Sequence, residues 1–260
     1  MAPGALAFHT LLSDSDPEAL RVLFSNRHGF LYIHIAKTGG TSIKTALKKM
    51  RWSDLQVIPQ LLAYNLSGLT DHRIAVKPPR HARAVVAKGL IPREDFERLF
   101  KFAIVRNPWD LQVSAFHHLN KELPEVAGKG GLSEFGAFLR WNLDRGKPLD
   151  YPSRFVDPLS ERFLDSLCDM DGSLLLDFVG AFERLPQDWA FIQRRLGLAE
   201  TELPKKRVSK RSRDYRSYYD DDLADLVASH YAGEIEAFGY SFEGGLPDGP
   251  LLGVSAETGR

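Results

Sequence analysis

The chain has 260 residues, which is enough for one sizeable domain and at most a small appendage. Lysine plus arginine equals aspartate plus glutamate at 34 each, so no global charge favours nucleic acid or a membrane as a partner. The single cysteine, Cys168, excludes an internal disulfide framework and fits a reducing compartment.

The N-terminal residues 1–26 are predicted to be a lead-in segment. They lack the basic leader of a signal peptide and turn acidic early. No run along the chain approaches the roughly 18 apolar residues of a membrane span. We therefore expect a soluble protein with no stable membrane span.

The stretch from Phe30 to Ser42 has the sequence F-L-Y-I-H-I-A-K-T-G-G-T-S. The apolar run 30–35 predicts a buried strand, residues 36–40 a glycine turn, and the apolar spacing that follows a helix. Free N–H groups and the positive end of a helix dipole attract phosphate or sulfate at such a junction. The candidate ligands are Lys37, Thr38, Gly39, Gly40, Thr41 and Ser42.

This stretch lacks the G-x-x-x-x-G-K-[ST] pattern of nucleoside triphosphate loops and the G-x-G-x-x-G pattern of dinucleotide sites. Taken alone, it also fits an ordinary strand–turn–helix junction with a surface lysine.

Further on, residues 73–76 predict a second strand, which ends in the loop that carries His81. Helices are predicted for residues 82–88 and from Pro92 onward.

A second strand-to-helix junction begins at residues 101–105, where K-F-A-I-V predicts another strand and is followed by R-N-P-W-D-L-Q-V-S. Asn107 is a good N-cap and Pro108 suits the first helical position. Arg106 stands at the junction between the strand and the helix, where its guanidinium is able to bind a phosphate bidentately. Ser114 lies about two turns into the helix.

The element order predicts an α/β fold, a P-loop-like, doubly wound, mostly parallel central sheet flanked by helices. Ligands of such sheets bind beyond the carboxyl ends of the strands. That rule places the Lys37 loop, the His81 loop and Arg106 along one edge.

The segments I-A-K-T-G-G-T-S and V-R-N-P-W-D-L-Q-V-S resemble the two cofactor signatures of the sulfotransferases that use 3′-phosphoadenosine 5′-phosphosulfate (PAPS). The resemblance is to the carbohydrate-type branch, the sulfotransferase family 2 domain, and covers roughly residues 30–242. It implies that the first loop binds the 5′-phosphosulfate and that Arg106 and Ser114 bind the 3′-phosphate. Ala36 departs from the family, which usually has proline there.

The same resemblance implies transfer of a sulfuryl group to a hydroxyl, for which a base is useful. His81 is predicted as that base; alternatively, it caps a helix or binds the acceptor. Lys37 is predicted to stabilise the leaving oxygen. Among the rival histidines, His34 is expected to be a hydrogen-bonded core residue, and His117 is expected to be a solvated helix residue.

The remaining chain is predicted as a mobile loop at 124–131, a strand at 177–182, a helix at 186–196 and a final helix at 220–237. The motifs F-E-R-L, L-G-L and L-P also resemble the family. The basic run 205–213 is too short, in a chain that is not basic overall, to indicate nucleic acid. By the resemblance, Ser209, Lys210 or Arg211 touches the 3′-phosphate.

We expect a single sulfotransferase domain at 27–243 and a flexible tail at 244–260. The expected activity is sulfuryl transfer from PAPS, released as PAP, to a saccharide or glycoconjugate, without a metal. Two alternatives remain: a P-loop kinase, disfavoured by the missing Gly-Lys-Ser/Thr, and a catalytically silent protein that binds PAP or sulfated glycan.

Eukaryotic members of this family are usually Golgi proteins with an N-terminal anchor. Because the chain shows no such anchor, the expected location is the cytoplasm of a bacterium. The alternative is a trimmed lumenal domain of a Golgi enzyme.

Overall fold

A computed structural model describes residues 23–52, 83–129, 131–143, 159–204, 214–246 and 251–253. Within these ranges one sheet has the strand order β1 to β5. The strands are β1 (Leu23–Ser25), β2 (Phe30–Ile33), β3 (Phe100–Val105), β4 (Phe178–Ala181) and β5 (Leu252–Gly253). Strands β2, β3 and β4 are parallel, and β1 and β5 pair antiparallel at the two edges. The predicted α/β class, with a mostly parallel central sheet flanked by helices, is confirmed.

The helices alternate with these strands along the chain. They are α1 (Gly40–Trp52), α2 (Ala84–Leu90), α3 (Arg93–Arg98), α4 (Pro108–Glu122), α5 (Pro124–Lys129), α6 (Phe135–Leu143), α7 (Phe163–Leu167), α8 (Leu185–Arg195), α9 (Asp221–His230) and α10 (Ala232–Phe238). Short 3₁₀ helices span Phe182–Arg184 and Tyr215–Tyr218. In the part of the chain that the structure describes, no helix is long and apolar enough to cross a membrane.

Both faces of the sheet are covered because successive side chains of a strand point to opposite sides. One set of strand residues packs with α1 and α8, and includes Phe30, Tyr32, Phe102, Ile104 and Phe178. The other set packs with the remaining helices, and includes Leu31, Ile33, Ala103, Val105 and Val179. Strands buried on both faces are mainly apolar, which explains the apolar runs in the sequence; Lys101 in β3 is a buried exception.

The three parallel strands end at the same edge of the sheet. Ile33 is paired with Ala103, and Val105 with Ala181. The turns from β2 into α1, from β3 into α4 and from β4 into α8 therefore leave the sheet side by side. This edge is where ligands bind in open parallel sheets.

Several predicted elements differ from the structure. Residues 124–131 are not simply a loop, because α5 occupies Pro124–Lys129. The final helix at 220–237 is broken at Tyr231, whose ring is fully buried and whose hydroxyl accepts a hydrogen bond from Gln112. This buried contact overrides the helical pattern of the sequence.

The two boundary segments each contribute a strand to the sheet. β1 belongs to the lead-in 1–26, and β5 belongs to the tail 244–260 that was expected to be flexible. The domain division is otherwise still a prediction. The strand predicted at 73–76 lies outside the described residues.

Candidate functional site

The turn between β2 and α1 contains an unusual backbone conformation. Lys37 has a φ of 63°, in the left-handed region that residues other than glycine rarely adopt. Such a conformation costs on the order of 1–3 kcal/mol and persists where surrounding contacts enforce it. The buried hydroxyl of Thr38 helps to close the turn by donating to the carbonyl oxygen of Ile35 at 2.9 Å.

Each glycine of the turn is required for a separate reason. Gly39 has a φ of 80°, and a Cβ there would lie 3.0 Å from the Leu185 side chain. At Gly40 a Cβ would lie 1.9 Å from Nε2 of His34, so the imidazole packs directly on the glycine. His34 lies beyond the end of β2 rather than within it, half-buried against the turn.

Arg106 connects the second junction to the first. Its Nε donates to Oδ2 of Asp110 at 2.7 Å, and its Nη2 lies 2.5 Å from the same oxygen. Its Nη1 donates to the carbonyl oxygen of Lys37 at 2.8 Å. The guanidinium lies over the ring of Phe182 with its carbon 4.1 Å from the ring centroid. Arg106 is only 5% exposed, so it forms part of the framework of the site.

Asn107 fixes the start of α4. Its side-chain oxygen accepts hydrogen bonds from the backbone N–H groups of Trp109 and Asp110. Its side-chain amide donates to the carbonyl oxygen of Ser241 at 3.0 Å and to the hydroxyl of Tyr215 at 3.3 Å. The predicted N-cap thus also ties α4 to the C-terminal part of the domain.

The carboxylate of Glu183 joins the ends of β3 and β4. Its Oε1 accepts a hydrogen bond from the backbone N–H of Asn107 at 2.7 Å. Although Glu183 as a residue is exposed, neighbouring atoms desolvate its carboxylate, which raises the pKa of Glu183. The hydrogen bond from the Asn107 N–H and the charge of Arg106 lower that pKa by less than desolvation raises it. Nearby, burial and the charge of Asp110 raise the pKa of Tyr215 to about 12. The edge therefore holds a carboxylate that takes up a proton more readily than usual.

Ser114 lies on α4, half-buried, about two turns beyond Arg106. One turn further along, Nε2 of His117 lies 2.8 Å from the hydroxyl of Tyr218. His117 is therefore not the solvated residue that was expected. The hydroxyl of Tyr219 donates to the carbonyl oxygen of Trp109 at 2.8 Å, so the chain that follows the basic run 205–213 packs against α4.

The structure brings together the Lys37 loop, which contains Thr38, Gly39, Gly40, Thr41 and Ser42, and Arg106. Ser114 lies on the helix that Arg106 introduces. His81, Ser209, Lys210 and Arg211 lie outside the described residues. The roles of all these residues remain predictions. Within the described residues, no three or more His, Cys, Asp or Glu side chains are grouped as metal ligands.

Three residues at this edge were missed: Asp110, Phe182 and Glu183. Asp110 had a signal, because an acid four residues after an arginine on a helix predicts an ion pair. Phe182 and Glu183 belong to the F-E-R-L motif that was noted only as a resemblance.

The Sulfotransferase family model matches residues 20–241. One relative, carbohydrate sulfotransferase 14 from Danio rerio, is 27% identical over 194 residues. The alignment covers 68% of this chain and 48% of the relative, so the matched region spans about half the length of that protein. No solved structure matches the chain significantly.

The match to a eukaryotic protein corrects the expected location. We expected a bacterial cytoplasmic enzyme, but the relative is a carbohydrate sulfotransferase from a eukaryote. Because eukaryotic members of this family are usually Golgi proteins, the match points to the alternative, a lumenal domain. The first expectation was therefore wrong.

Proposed function

Because the chain belongs to the sulfotransferase family, we propose that it transfers the sulfuryl group of PAPS to a hydroxyl of a saccharide or glycoconjugate. The family gives the reaction class, and the name of the relative, carbohydrate sulfotransferase 14, supports a saccharide acceptor. The structural observation that carries the proposal is the 2.8 Å hydrogen bond from Arg106 to the carbonyl of Lys37. It joins the two segments that, by resemblance, hold opposite ends of the donor.

In this proposal the donor lies across the shared edge of the three parallel strands. The Lys37 loop and the first N–H groups of α1 bind the 5′-phosphosulfate. Arg106 and Ser114 bind the 3′-phosphate, with help from Ser209, Lys210 or Arg211. Arg106 would share its guanidinium between that phosphate and Asp110, since the ion pair already occupies one edge of it.

The acceptor oxygen attacks sulfur as the bond between sulfur and the bridging oxygen breaks. The bridging oxygen leaves with the electron pair on PAP, and the ammonium of Lys37 stabilises the charge that it gains. The acceptor proton passes to His81 as the new bond forms. The products are the sulfate ester and PAP.

The first test is donor binding followed by transfer. PAP should raise the melting temperature of the purified protein, and labelled sulfate should pass from PAPS to at least one saccharide in an acceptor panel. Lys37→Ala should lower turnover by about 10²- to 10³-fold, as loss of a group that stabilises a leaving oxygen does. Lys48→Ala, at an exposed lysine further along α1, is the matched control. Near wild-type turnover in Lys37→Ala would contradict the assigned role.

His81 is tested separately from the donor site. His81→Ala should retain PAP binding and lose turnover by about 10²- to 10⁴-fold, the usual contribution of a general base. His72→Ala is the control, because His72 directly precedes the predicted strand at 73–76 whereas His81 follows it, which predicts opposite ends of that strand for the two histidines. PAP binding without transfer to any acceptor would favour the catalytically silent alternative.

A further inference from the structure

A buried ion pair lies between the two donor-binding segments. Asp110 belongs to the first turn of α4, and its side chain is 13% exposed while that of Arg106 is 5% exposed. Oδ2 of Asp110 contacts both Nε and Nη2 of Arg106, which fixes one edge of the guanidinium. The proposed transfer chemistry assigns no role to Asp110.

The other edge of the guanidinium holds the loop that carries Lys37. Nη1 of Arg106 donates to the Lys37 carbonyl oxygen, and the two residues are 69 positions apart in the sequence. The hydroxyl of Thr38 bonds the carbonyl of Ile35 and does not hold this oxygen. The left-handed backbone of Lys37 therefore has a specific support that comes from the neighbouring strand end.

The direction of Nη1 depends on what holds the rest of the guanidinium. A guanidinium is planar, so fixing its Nε–Nη2 edge also fixes where Nη1 points. Asp110 holds that edge, and Asp110 is itself held in place because it lies in the first turn of α4, which Asn107 caps. The ring of Phe182 packs against the plane of the guanidinium. Removing the carboxylate leaves Arg106 without the contact that aims it at the Lys37 carbonyl.

We propose that Asp110 is a positioning residue, which aims Arg106 at the carbonyl of Lys37 and so fixes the loop that presents the Lys37 ammonium to the donor. The effects on the donor, on turnover and on PAP rest on the proposed function, whereas the positioning of the loop by Asp110 does not. The Asp110 carboxylate also lies beside the group expected to bind the 3′-phosphate, where it repels that phosphate.

The test combines hydrogen exchange with kinetics on the full chain. In Asp110→Asn, amide exchange should rise about tenfold or more in peptides that cover residues 36–42 and stay unchanged in peptides from α9. Turnover should fall about 10- to 100-fold, the usual effect of a small misplacement of a reacting group. The Kd of PAP should rise by a smaller factor than turnover falls, because loss of the Asp110 charge beside the 3′-phosphate partly offsets the loosened loop. Asp165→Asn is the control, because Asp165 on α7 pairs with Arg162, the residue before that helix, and carries the same charge as Asp110.

A purely structural role gives a different result. If Asp110 only stabilises the N-terminus of α4, Asp110→Asn lowers the melting temperature with no selective change at residues 36–42. That result, or a parallel loss of PAP affinity and turnover, would overturn the proposal. If Asp110→Asn does not fold, Asp110→Glu keeps the charge but shifts the carboxylate, and unchanged exchange at 36–42 in that variant would also overturn it.

The exchange measurement separates this inference from the proposed function. If the wild-type protein neither binds PAP nor transfers sulfate, the proposed function fails. The comparison of exchange at residues 36–42 still decides whether Asp110 positions the loop.

Discussion

Gly40 and the imidazole of His34 lie against each other at the first residue of α1. The space beside the glycine Cα is filled by the ring, so no side chain fits there. The sequence shows two adjacent glycines but not this reason for the second one. At the scale of single residues, the Lys37 loop thus depends on a contact with a histidine that has no assigned chemical role.

Gly40→Ala is expected to destabilise the protein by about 1–3 kcal/mol, the usual effect of forcing extra atoms into a packed site. The double variant His34→Ala/Gly40→Ala should recover most of that loss relative to His34→Ala alone. Urea unfolding of the four proteins gives the coupling energy. Gly89→Ala is the matched control, because a Cβ there meets no atom within 4 Å. Additive losses in the double variant would show that the ring does not constrain Gly40.

Glu183 predicts a specific pH dependence of stability. Its pKa in the folded protein is raised from an ordinary value of 4.5, mainly by desolvation. Above that ordinary value the unfolded chain releases the proton before the folded one does. The folded state then binds more protons, so the contribution of Glu183 to stability falls as the pH rises through this window.

Glu183→Gln should remove this contribution, so its melting temperature should fall less than that of the wild-type protein as the pH rises from 4.5 towards neutrality. Glu236→Gln, at an exposed position of α10, is the control and should follow the wild-type curve. Parallel curves for Glu183→Gln and the wild-type protein would contradict the raised pKa.

At the scale of elements, α4 carries or follows several residues of the candidate site. Arg106 and the N-cap Asn107 directly precede its first residue, Pro108, and its later turns carry Ser114 and His117. The side chain of Asn107 both caps the helix and bonds Ser241 and Tyr215. A change at this cap should therefore cost more than the loss of an ordinary N-cap.

Asn107→Ala should lower the free energy of unfolding by about 2–3 kcal/mol, because it removes the cap and also the two amide donations. Asn107→Asp keeps the capping oxygen and should lie between the wild-type protein and Asn107→Ala. Asp220→Ala removes only a cap, that of α9, and should cost about 1 kcal/mol. Equal losses for Asn107→Ala and Asp220→Ala in denaturant unfolding would contradict the double role.

The sequence predicts long elements better than short ones. The apolar runs at 30–35, 101–105 and 177–182 contain β2, most of β3 and β4. The edge strands β1 and β5 have three and two residues, too few for a periodic pattern. The helix α5 was missed because Gly128 and Gly130 suggested a loop, although Pro124 at its first position is a known start signal.

The site was predictable in its parts but not in its connections. The Lys37 loop and Arg106 follow from local patterns and lie together as the parallel sheet requires. The bond between them was not predictable, because it joins residues 69 positions apart and depends on the direction of one N–H group. The close approach of the Leu185 side chain to Gly39 was not predictable either, because it also joins residues far apart in the sequence.

At the scale of the whole molecule, the two ends of the sheet carry different groups of polar residues. The carboxyl edge carries the candidate site. The opposite edge holds Lys101, which is 8% exposed and whose Nζ lies 2.9 Å from Asp177 and 2.8 Å from the carbonyl oxygen of Leu99. This second cluster ties β3 to the start of β4, so we expect it to support stability alone.

Lys101→Met should lower the free energy of unfolding by about 1–3 kcal/mol, because it leaves the buried carbonyl oxygen of Leu99 without its side-chain donor and removes the ion pair with Asp177. The affinity for PAP per folded molecule should not change, as calorimetry at a temperature well below unfolding would show. Arg93→Met, which removes an exposed pair with Glu97, should leave the free energy of unfolding nearly unchanged, because solvent screens that pair. A weaker PAP affinity in Lys101→Met would mean that the two ends of the sheet are not independent.

The pairing of β5 with β4 has a practical consequence for shortened versions of the protein. The family match ends at residue 241, whereas β5 lies at Leu252–Gly253. A chain truncated at residue 241 would expose the outer peptide groups of β4 and lose Phe242, whose ring packs on Trp109, Tyr215 and Tyr219. Bare strand edges promote self-association, so recombinant fragments should extend at least through residue 253.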